Sequence, residues 1–127
     1  MTRQQFSVEH NWKVIVFWNL DYDFFDVVAA ELAGIGFSLR KIKRIWKNMS
    51  SREAKGVTCS SIYYHTSIVL FNKHGSKSDY ISSIVHEAEH VKQAMLEAYQ
   101  VEDEGEPPAY TIGYLVMRMW NVFRRML

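Results

Sequence analysis

The chain has little cysteine and no long apolar run, and each absence excludes a class of protein. Its single cysteine, Cys59, cannot form an internal disulfide framework, which is the usual support of small secreted domains. The longest uninterrupted apolar run covers residues 14–18, which is far too short to cross a bilayer. The first twelve residues contain no apolar core of a signal peptide, so we expect a cytoplasmic protein without a membrane segment.

The overall charge is also low, at +1 from 15 basic and 14 acidic residues. Taken as a total, that balance excludes a strongly basic nucleic-acid-binding protein and an acidic tail. What is present is ordinary globular composition, with 48% hydrophobic and 23% charged residues, which excludes a disordered chain. A length of 127 residues fits one domain, so we interpret residues 1–127 as a single domain.

Two local charge fields of opposite sign lie behind this nearly neutral total. Residues 38–56 contain seven basic residues and one acid, which is a local charge of +6. Residues 86–106 contain seven acids and one lysine, which is a local charge of −6. Each charged segment can therefore have a binding role of its own: the basic one can contact an anionic surface, and the acidic one can bind a cation.

Hydrophobic periodicity predicts both strands and helices. The predicted strands cover residues 12–20 and 57–72, the latter either as two strands or as one long strand bent near His65. The predicted helices are residues 24–33, residues 38–48, a third from Ser78 or Asp79 to about Tyr99, and a fourth from Pro107 or Pro108 to the C-terminus. The order β-α-α-β-β-α-α indicates an α+β domain.

The segment His86-Glu87-Ala88-Glu89-His90 contains the motif H-E-x-x-H within the third predicted helix. Residues four apart lie about 40° apart around a helix and one turn along it, so His86 and His90 can reach one metal ion. Glu87 lies about 100° from His86, beside the ion, where it can take a proton from water. The spacing therefore predicts two zinc ligands and a general base. The alternative is a pair of half-buried histidines on an ordinary helix.

A zinc hydrolase needs a third protein ligand, and the acidic loop after this helix contains the candidates on the C-terminal side. These candidates are Glu102, Asp103, Glu104 and Glu106, since no Asp, Glu or His follows Pro108. If the helix extends to Tyr99, Glu106 lies roughly 13 Å from His90 along the axis unless the loop doubles back. The alternative is that the loop is solvated surface and that Glu106 stabilises the start of the next helix.

Together with the residues that follow, the motif resembles a known family. The run His86-Glu87-x-x-His90, the acidic loop, Glu106-Pro107-Pro108-Ala109-Tyr110 and Gly113-Tyr114 is similar to small zincin-like proteins of phages and bacterial mobile elements, and more broadly to gluzincin-type metallopeptidases. The resemblance covers about residues 78–115. It implies a small zincin-like domain in which a short antiparallel sheet packs on the HExxH helix and on a C-terminal helix.

The same resemblance implies a Zn²⁺ site formed by His86, His90 and Glu106, with Glu87 as general base. It also implies an antiparallel edge strand beside the metal, within residues 57–71, that binds extended peptide by strand addition.

Tyr110 is a candidate catalytic residue one turn after Glu106. Its hydroxyl can donate to the oxyanion that forms when an amide carbonyl is attacked. A tyrosine at this position is also typical of the packed face of an amphipathic helix, and both interpretations stay open. His65 and His74 fit a strand surface and a turn better than a metal site, and Cys59 is isolated.

Two further segments suggest partners. Residues 39–47 form a basic amphipathic helix that can contact nucleic-acid phosphate or an anionic surface. The same helix can also be merely solvated, with Ile42, Ile45 and Trp46 packed inward. The C-terminal helix is apolar nearly all round, which indicates burial in the core or in a homodimer.

The motif and the resemblance together favour a zinc-dependent hydrolase, specifically a peptidase that acts on a peptide or protein substrate with metal-activated water. The alternative is a non-enzymatic binding or regulatory protein of a phage or mobile element. Such a protein acts through the basic helix of residues 39–47 and keeps the metal site as a structural remnant.

Overall fold

The elements follow one another in the order β-β-α-α-β-β-α-α along residues 1–126, which this computed structural model describes apart from the side chain of His10. Leu127, the predicted end of the last helix, lies outside the described residues. The strands are β1 (Thr2–Val8), β2 (Trp12–Trp18), β3 (Gly56–Ser61) and β4 (Thr66–Phe71). The helices are α1 (Phe25–Gly34), α2 (Leu39–Ser50), α3 (Lys77–Tyr99) and α4 (Glu106–Phe123). The predicted α+β class is confirmed.

The four strands form one mixed sheet in the order β1-β2-β4-β3. β2 and β4 are parallel neighbours, with residues 13–17 opposite residues 66–70, while β1 and β3 pair antiparallel at the two edges. The prediction of an antiparallel sheet is therefore wrong for the central pair. The chain leaves β2 through α1 and α2, forms the edge strand β3, and returns as β4 in the same direction as β2.

The two central strands are buried on both faces of the sheet, and Lys13 is their only exposed residue. One face packs against α3 and α4, through side chains that include Trp18 and Phe71. The other face packs against α1 and α2, through side chains that include Phe17 and Leu70. The sheet is therefore the middle of three layers, and α2 and α3 lie on opposite sides of it. Within residues 1–126, no helix has the length and the apolar content that a membrane span requires.

Strand β1 is the element that the sequence prediction missed. Its buried side chains are Gln4, Phe6 and Val8, so one of the three is polar. Gln4 is accommodated because its side-chain oxygen accepts from Trp18 Nε1 at 3.1 Å and its nitrogen donates to the Arg118 carbonyl at 2.8 Å. Because Gln4 stands where an apolar residue would continue the pattern, the alternating hydrophobic signal of the strand is reduced to Phe6 and Val8.

The apolar face of α2 differs from the predicted one. Ile42 and Met49 are buried and Ile45 is partly buried, all on the side of α1 and the sheet. Leu39 is 67% exposed and Trp46 is 46% exposed. The prediction that Trp46 packs inward is therefore wrong. The contact face is centred on Ile42, Ile45 and Met49, and Trp46 lies at its margin.

The helices α3 and α4 pack against each other as antiparallel neighbours. α3 begins after Ser76, whose Oγ accepts from the Asp79 backbone N–H at 3.2 Å, so the cap precedes the predicted Ser78. It ends at Tyr99, and the next residue, Gln100, has a left-handed backbone with a φ of 56°. Phe123 at the end of α4 packs on Tyr80 in the first turn of α3. The start of α4 consequently lies beside the end of α3.

Candidate metal centre

The two motif histidines lie on the exposed face of α3. The opposite face of the helix, which includes Ile84, Ala88 and Val91, is buried against the sheet and α4. The side chain of His86 is 69% exposed, and His90 is exposed one turn further along. The helix is therefore anchored by one face and presents both imidazoles on the other, as expected from their spacing.

The imidazoles of His86 and His90 lie against each other. Their Nε2 atoms are 3.3 Å apart, and the rings meet edge to face with centroids separated by 4.9 Å. A tetrahedral zinc ion with Zn–N bonds of about 2.0–2.1 Å holds two nitrogen ligands roughly 3.3–3.4 Å apart. The same separation allows one ring to donate an N–H···N hydrogen bond to the other. The pair thus fits a zinc ion with no change in the distance between its nitrogens.

Glu87 is directed from α3 toward the edge strand β3 and is 4% exposed. Its Oε1 accepts a hydrogen bond from Thr58 Oγ1 at 2.9 Å, and its Oε2 lies 3.9 Å from His86 Nε2. One carboxylate oxygen is therefore fixed by β3, while the other faces the histidine pair. A general base beside a metal ion requires this kind of placement.

Gly56 makes the close approach of α3 and β3 possible. A Cβ at this position would lie 3.3 Å from Glu87 Cγ, 3.2 Å from the Leu70 carbonyl oxygen and 3.1 Å from Phe71 Cδ1. The sequence prediction missed the roles of Gly56 and Thr58. The contact between Thr58 and Glu87 joins residues 29 apart, and no local pattern indicates it.

A second glutamate, Glu89, lies directly before His90, so the same five residues also contain the reversed motif H-x-x-E-H. The sequence prediction did not use this motif. The Oε1 of Glu89 accepts from Lys92 Nζ at 2.9 Å and from Gln93 Nε2 at 3.0 Å. These hydrogen bonds hold the pKa of Glu89 below its usual value, and the one from Lys92 has the largest effect. A carboxylate paired with an ammonium is a poor proton acceptor, so Glu87 is the better base of the two.

Lys92 connects α3 to the acidic loop. It is 7% exposed, and its Nζ also lies 3.0 Å from Asp103 Oδ1. Asp103 accepts a further hydrogen bond from Gln93 Nε2 at 2.6 Å, and its hydrogen bond from Lys92 is the main cause of a lowered pKa. The loop therefore does double back along α3, and it reaches the turn that follows His90.

The geometry does not identify a third metal ligand beside His86 and His90. Among the side chains that the structure describes, which exclude that of His10, no three from His, Cys, Asp or Glu are grouped so as to hold a metal ion. Asp103 is bound by Lys92, whereas Glu102, Glu104 and Glu106 are exposed. Glu106 begins α4, next to the end of α3 and not to its middle. The assignment of Glu106, and the alternatives in the loop, stay predictions.

Tyr110 is 74% exposed and lies at a separate apolar cavity of about 840 Å³. Val8, Met95 and Tyr114 are among the side chains that line this cavity, between the start of α4 and the end of α3. None of the described HExxH residues lines it. The structure does not bring Tyr110 and the motif together around one cavity. The role of Tyr110 as a donor to the oxyanion stays a prediction.

Two other reactive side chains are parts of the fold: Cys59 is buried and His74 is partly buried. Burial raises the pKa of Cys59 to about 12, and the negative charge of Glu87 acts in the same direction, so the thiol stays protonated. Burial also lowers the pKa of His74, whose ring nitrogens lie 2.6 Å from the Asn72 carbonyl oxygen and from Ser83 Oγ. Both side chains serve packing and hydrogen bonding at these positions.

Comparison of the chain with protein-family models, with curated proteins and with solved structures finds no match in any of the three. The functional assignment therefore depends on the side chains described above and on their geometry.

Proposed function

We propose that this chain is a zinc-dependent hydrolase that cleaves peptide bonds, with His86 and His90 as two zinc ligands and Glu87 as general base. The 3.3 Å separation of the two Nε2 atoms carries the proposal, because it matches the spacing of nitrogen ligands on a tetrahedral zinc ion. Zinc, when bound, polarises the substrate carbonyl and lowers the pKa of water. The resemblance to gluzincins makes Glu106 the first candidate for the third ligand.

Glu87 moves the proton in the proposed reaction. Because Thr58 holds Oε1, Oε2 is the atom that accepts a proton as the water oxygen attacks the carbonyl carbon. The same oxygen then returns that proton to the amide nitrogen as the C–N bond breaks. Burial of Glu87 between α3 and β3 keeps bulk water from the carboxylate and fixes its direction.

The edge strand β3 is the proposed binding surface for the peptide. It is the last strand of the sheet, runs antiparallel to β4 and contacts α3 at Glu87 through Thr58. An extended peptide that adds to its outer side gains main-chain hydrogen bonds. Since Thr58 binds the base directly, a peptide paired with this part of β3 has its backbone close to Glu87.

Elemental analysis of the purified chain tests the metal claim. We expect about one zinc ion per chain in the native protein and its loss in His86→Ala and in His90→Ala, since each substitution removes a ligand. Val85→Ala changes an exposed neighbour on the same helix and should keep the zinc, which makes it the matched control. Native protein that takes up no zinc, or His86→Ala with full zinc content, contradicts the proposal.

Turnover is tested separately, on a library of unstructured fluorogenic peptides. We expect cleavage that a chelator abolishes and added zinc restores. Full zinc occupancy without cleavage of any peptide would remove the hydrolase function while leaving the metal site, and would favour the non-enzymatic alternative.

A further inference from the structure

Four basic residues of α2 form one exposed surface, which we name the basic stripe: Arg40, Lys43, Arg44 and Lys47. Positions i, i+3, i+4 and i+7 lie on one side of a helix, and this side is opposite the buried Met49. The stripe extends about 10 Å along the helix axis. Four of the seven cations of residues 38–56 therefore lie on the outer face of a single helix.

The basic stripe is unfavourable for the helix that carries it. Like charges three and four positions apart repel each other, and the stripe contains several such pairs. The first turn of α2 has no acidic residue, and Arg40 and Lys41 stand near the positive end of the helix dipole. In the part of the chain that the structure describes, no ion pair includes a residue of the stripe. An external anion would relieve this repulsion.

The acids of the chain do not neutralise the basic stripe. Half of them, seven of 14, belong to α3 and the loop that follows it, and these lie on the other side of the sheet. Among the described residues, none of the other acids forms an ion pair with the stripe. Salt screens charges over about 8–10 Å, so a field on one outer layer is hardly felt on the other. The positive field of α2 is thus available to an anionic partner in solution.

The chemistry of the exposed face favours a nucleic acid over a membrane. A helix that lies in a bilayer inserts its apolar face, but in α2 that face is buried in the core and only Leu39 and Trp46 are exposed apolar side chains. Duplex DNA carries one charge per about 1.7 Å, so a stripe of this length faces about six phosphate charges. Trp46, beside Lys43 and Lys47, can pack on a base or a sugar.

We propose that the outer face of α2 is a nucleic-acid-binding surface, in which the basic stripe contacts the phosphodiester backbone and Trp46 packs at its margin. Backbone contacts of this kind position a protein on a nucleic acid without reading its base sequence. The surface lies on the opposite side of the sheet from the histidine pair, and it does not depend on the proposed hydrolase function.

Fluorescence anisotropy with fluorescein-labelled DNA of about 20 nucleotides, single-stranded and duplex, tests the surface on the full chain. Four phosphate contacts predict that the affinity for duplex falls about 150-fold between about 50 and about 200 mM salt. A stripe variant with Arg40→Gln, Lys43→Gln, Arg44→Gln and Lys47→Gln should bind at least about 30-fold more weakly at the lower salt. Gln is a good helix former, and circular dichroism checks that α2 persists.

The matched control removes four exposed cations elsewhere, by Lys13→Gln, Lys73→Gln, Arg124→Gln and Arg125→Gln. It has the same net charge as the stripe variant and should keep affinity within about three-fold of native. Equal losses in the two variants overturn the proposal, because total charge and not the surface of α2 would then determine binding. The proposal is also overturned if the native chain binds no DNA at low salt, or binds phosphatidylserine vesicles in preference to DNA.

Discussion

The helices α2 and α3 both carry many ionisable side chains, but several of those on α3 are held by other groups of the chain, whereas those of the basic stripe on α2 form no ion pair among the described residues. On α3, Lys92 is held by Glu89 and Asp103, and Glu87 is held by Thr58. On α2, the four cations of the basic stripe have no ion-pair partner among the described residues.

This difference indicates two kinds of surface. The polar groups of α3 have fixed positions, so the properties of that helix should depend on individual side chains and on distances of a fraction of an ångström. The cations of α2 act through their number, so substitutions there should have small and roughly additive effects. The predictions below test that contrast, from the largest expected effect to the smallest.

Substitution of the two motif glutamates should give the largest contrast. Glu87→Gln removes the proposed base and should lower kcat for peptide cleavage by about 10²–10⁴-fold at unchanged zinc content. Glu89→Gln alters a carboxylate that already pairs with Lys92, and should change kcat by less than about ten-fold. Both variants are measured on the same peptide library. A larger loss in Glu89→Gln would reverse the assignment of the base.

Gly56→Ala, a substitution in β3, should lower kcat by displacing the same general base. The new methyl group must displace Glu87, Phe71 or the backbone of β4, and a shift of the base by about 1 Å can lower kcat about 10²-fold. Gly113→Ala is the control, because a Cβ there would have no atom within 4 Å beyond its chain neighbours and the backbone of its own helix. Equal kcat values in the two variants, measured at equal zinc content, would show that the position of the base is not limiting.

Lys92→Met should change the pH dependence of stability. In the native chain the hydrogen bonds from Lys92 lower the pKa of Glu89 and of Asp103, so their contribution to the free energy of unfolding is present above their ordinary pKa values of about 4. It is lost as the pH falls through the lowered values. Urea unfolding between about pH 6 and pH 2 should therefore show a shallower decline for Lys92→Met than for the native chain. Parallel curves would contradict a stabilising role for this network.

A single change in the basic stripe should have the smallest effect. Lys43→Gln removes one cation that repels Arg40, three positions before it, and Lys47, four positions after it, so the free energy of unfolding should rise by about 0.2–0.5 kcal/mol per relieved pair. Affinity for DNA should fall only a few-fold, since one phosphate contact is lost. Urea unfolding and anisotropy measure the two quantities. A loss of binding as large as that of the four-residue stripe variant would contradict the additive behaviour expected of α2.

The features that the sequence predicted correctly are those that local patterns specify. The third helix was found from its period of apolar residues, and the four-residue spacing of His86 and His90 places both on one exposed face whatever the rest of the fold does. The second helix was found in the same way, although its contact face is rotated away from Trp46. Periodicity locates a helix better than it assigns residues at the margin of its buried face.

The features that the sequence could not predict depend on contacts between distant parts of the chain. The parallel pairing of β2 and β4 joins residues about 50 positions apart, and nothing in either strand specifies its direction. The burial of Gln4 in β1 depends on Trp18 and on the carbonyl of Arg118. The attachment of Asp103 to Lys92, which folds the acidic loop back along α3, is of the same kind.

The open side of β3 has a consequence for the solubility of the protein. An unpaired edge that accepts a peptide can also accept the edge of another copy, and sheets that grow in this way aggregate. β3 has only six residues, and its sequence Gly-Val-Thr-Cys-Ser-Ser has no aromatic side chain and one large aliphatic side chain. A short strand of small hydroxyl-bearing residues is a poor template for further strands. Substitutions that make β3 more apolar should therefore strengthen peptide binding and self-association together.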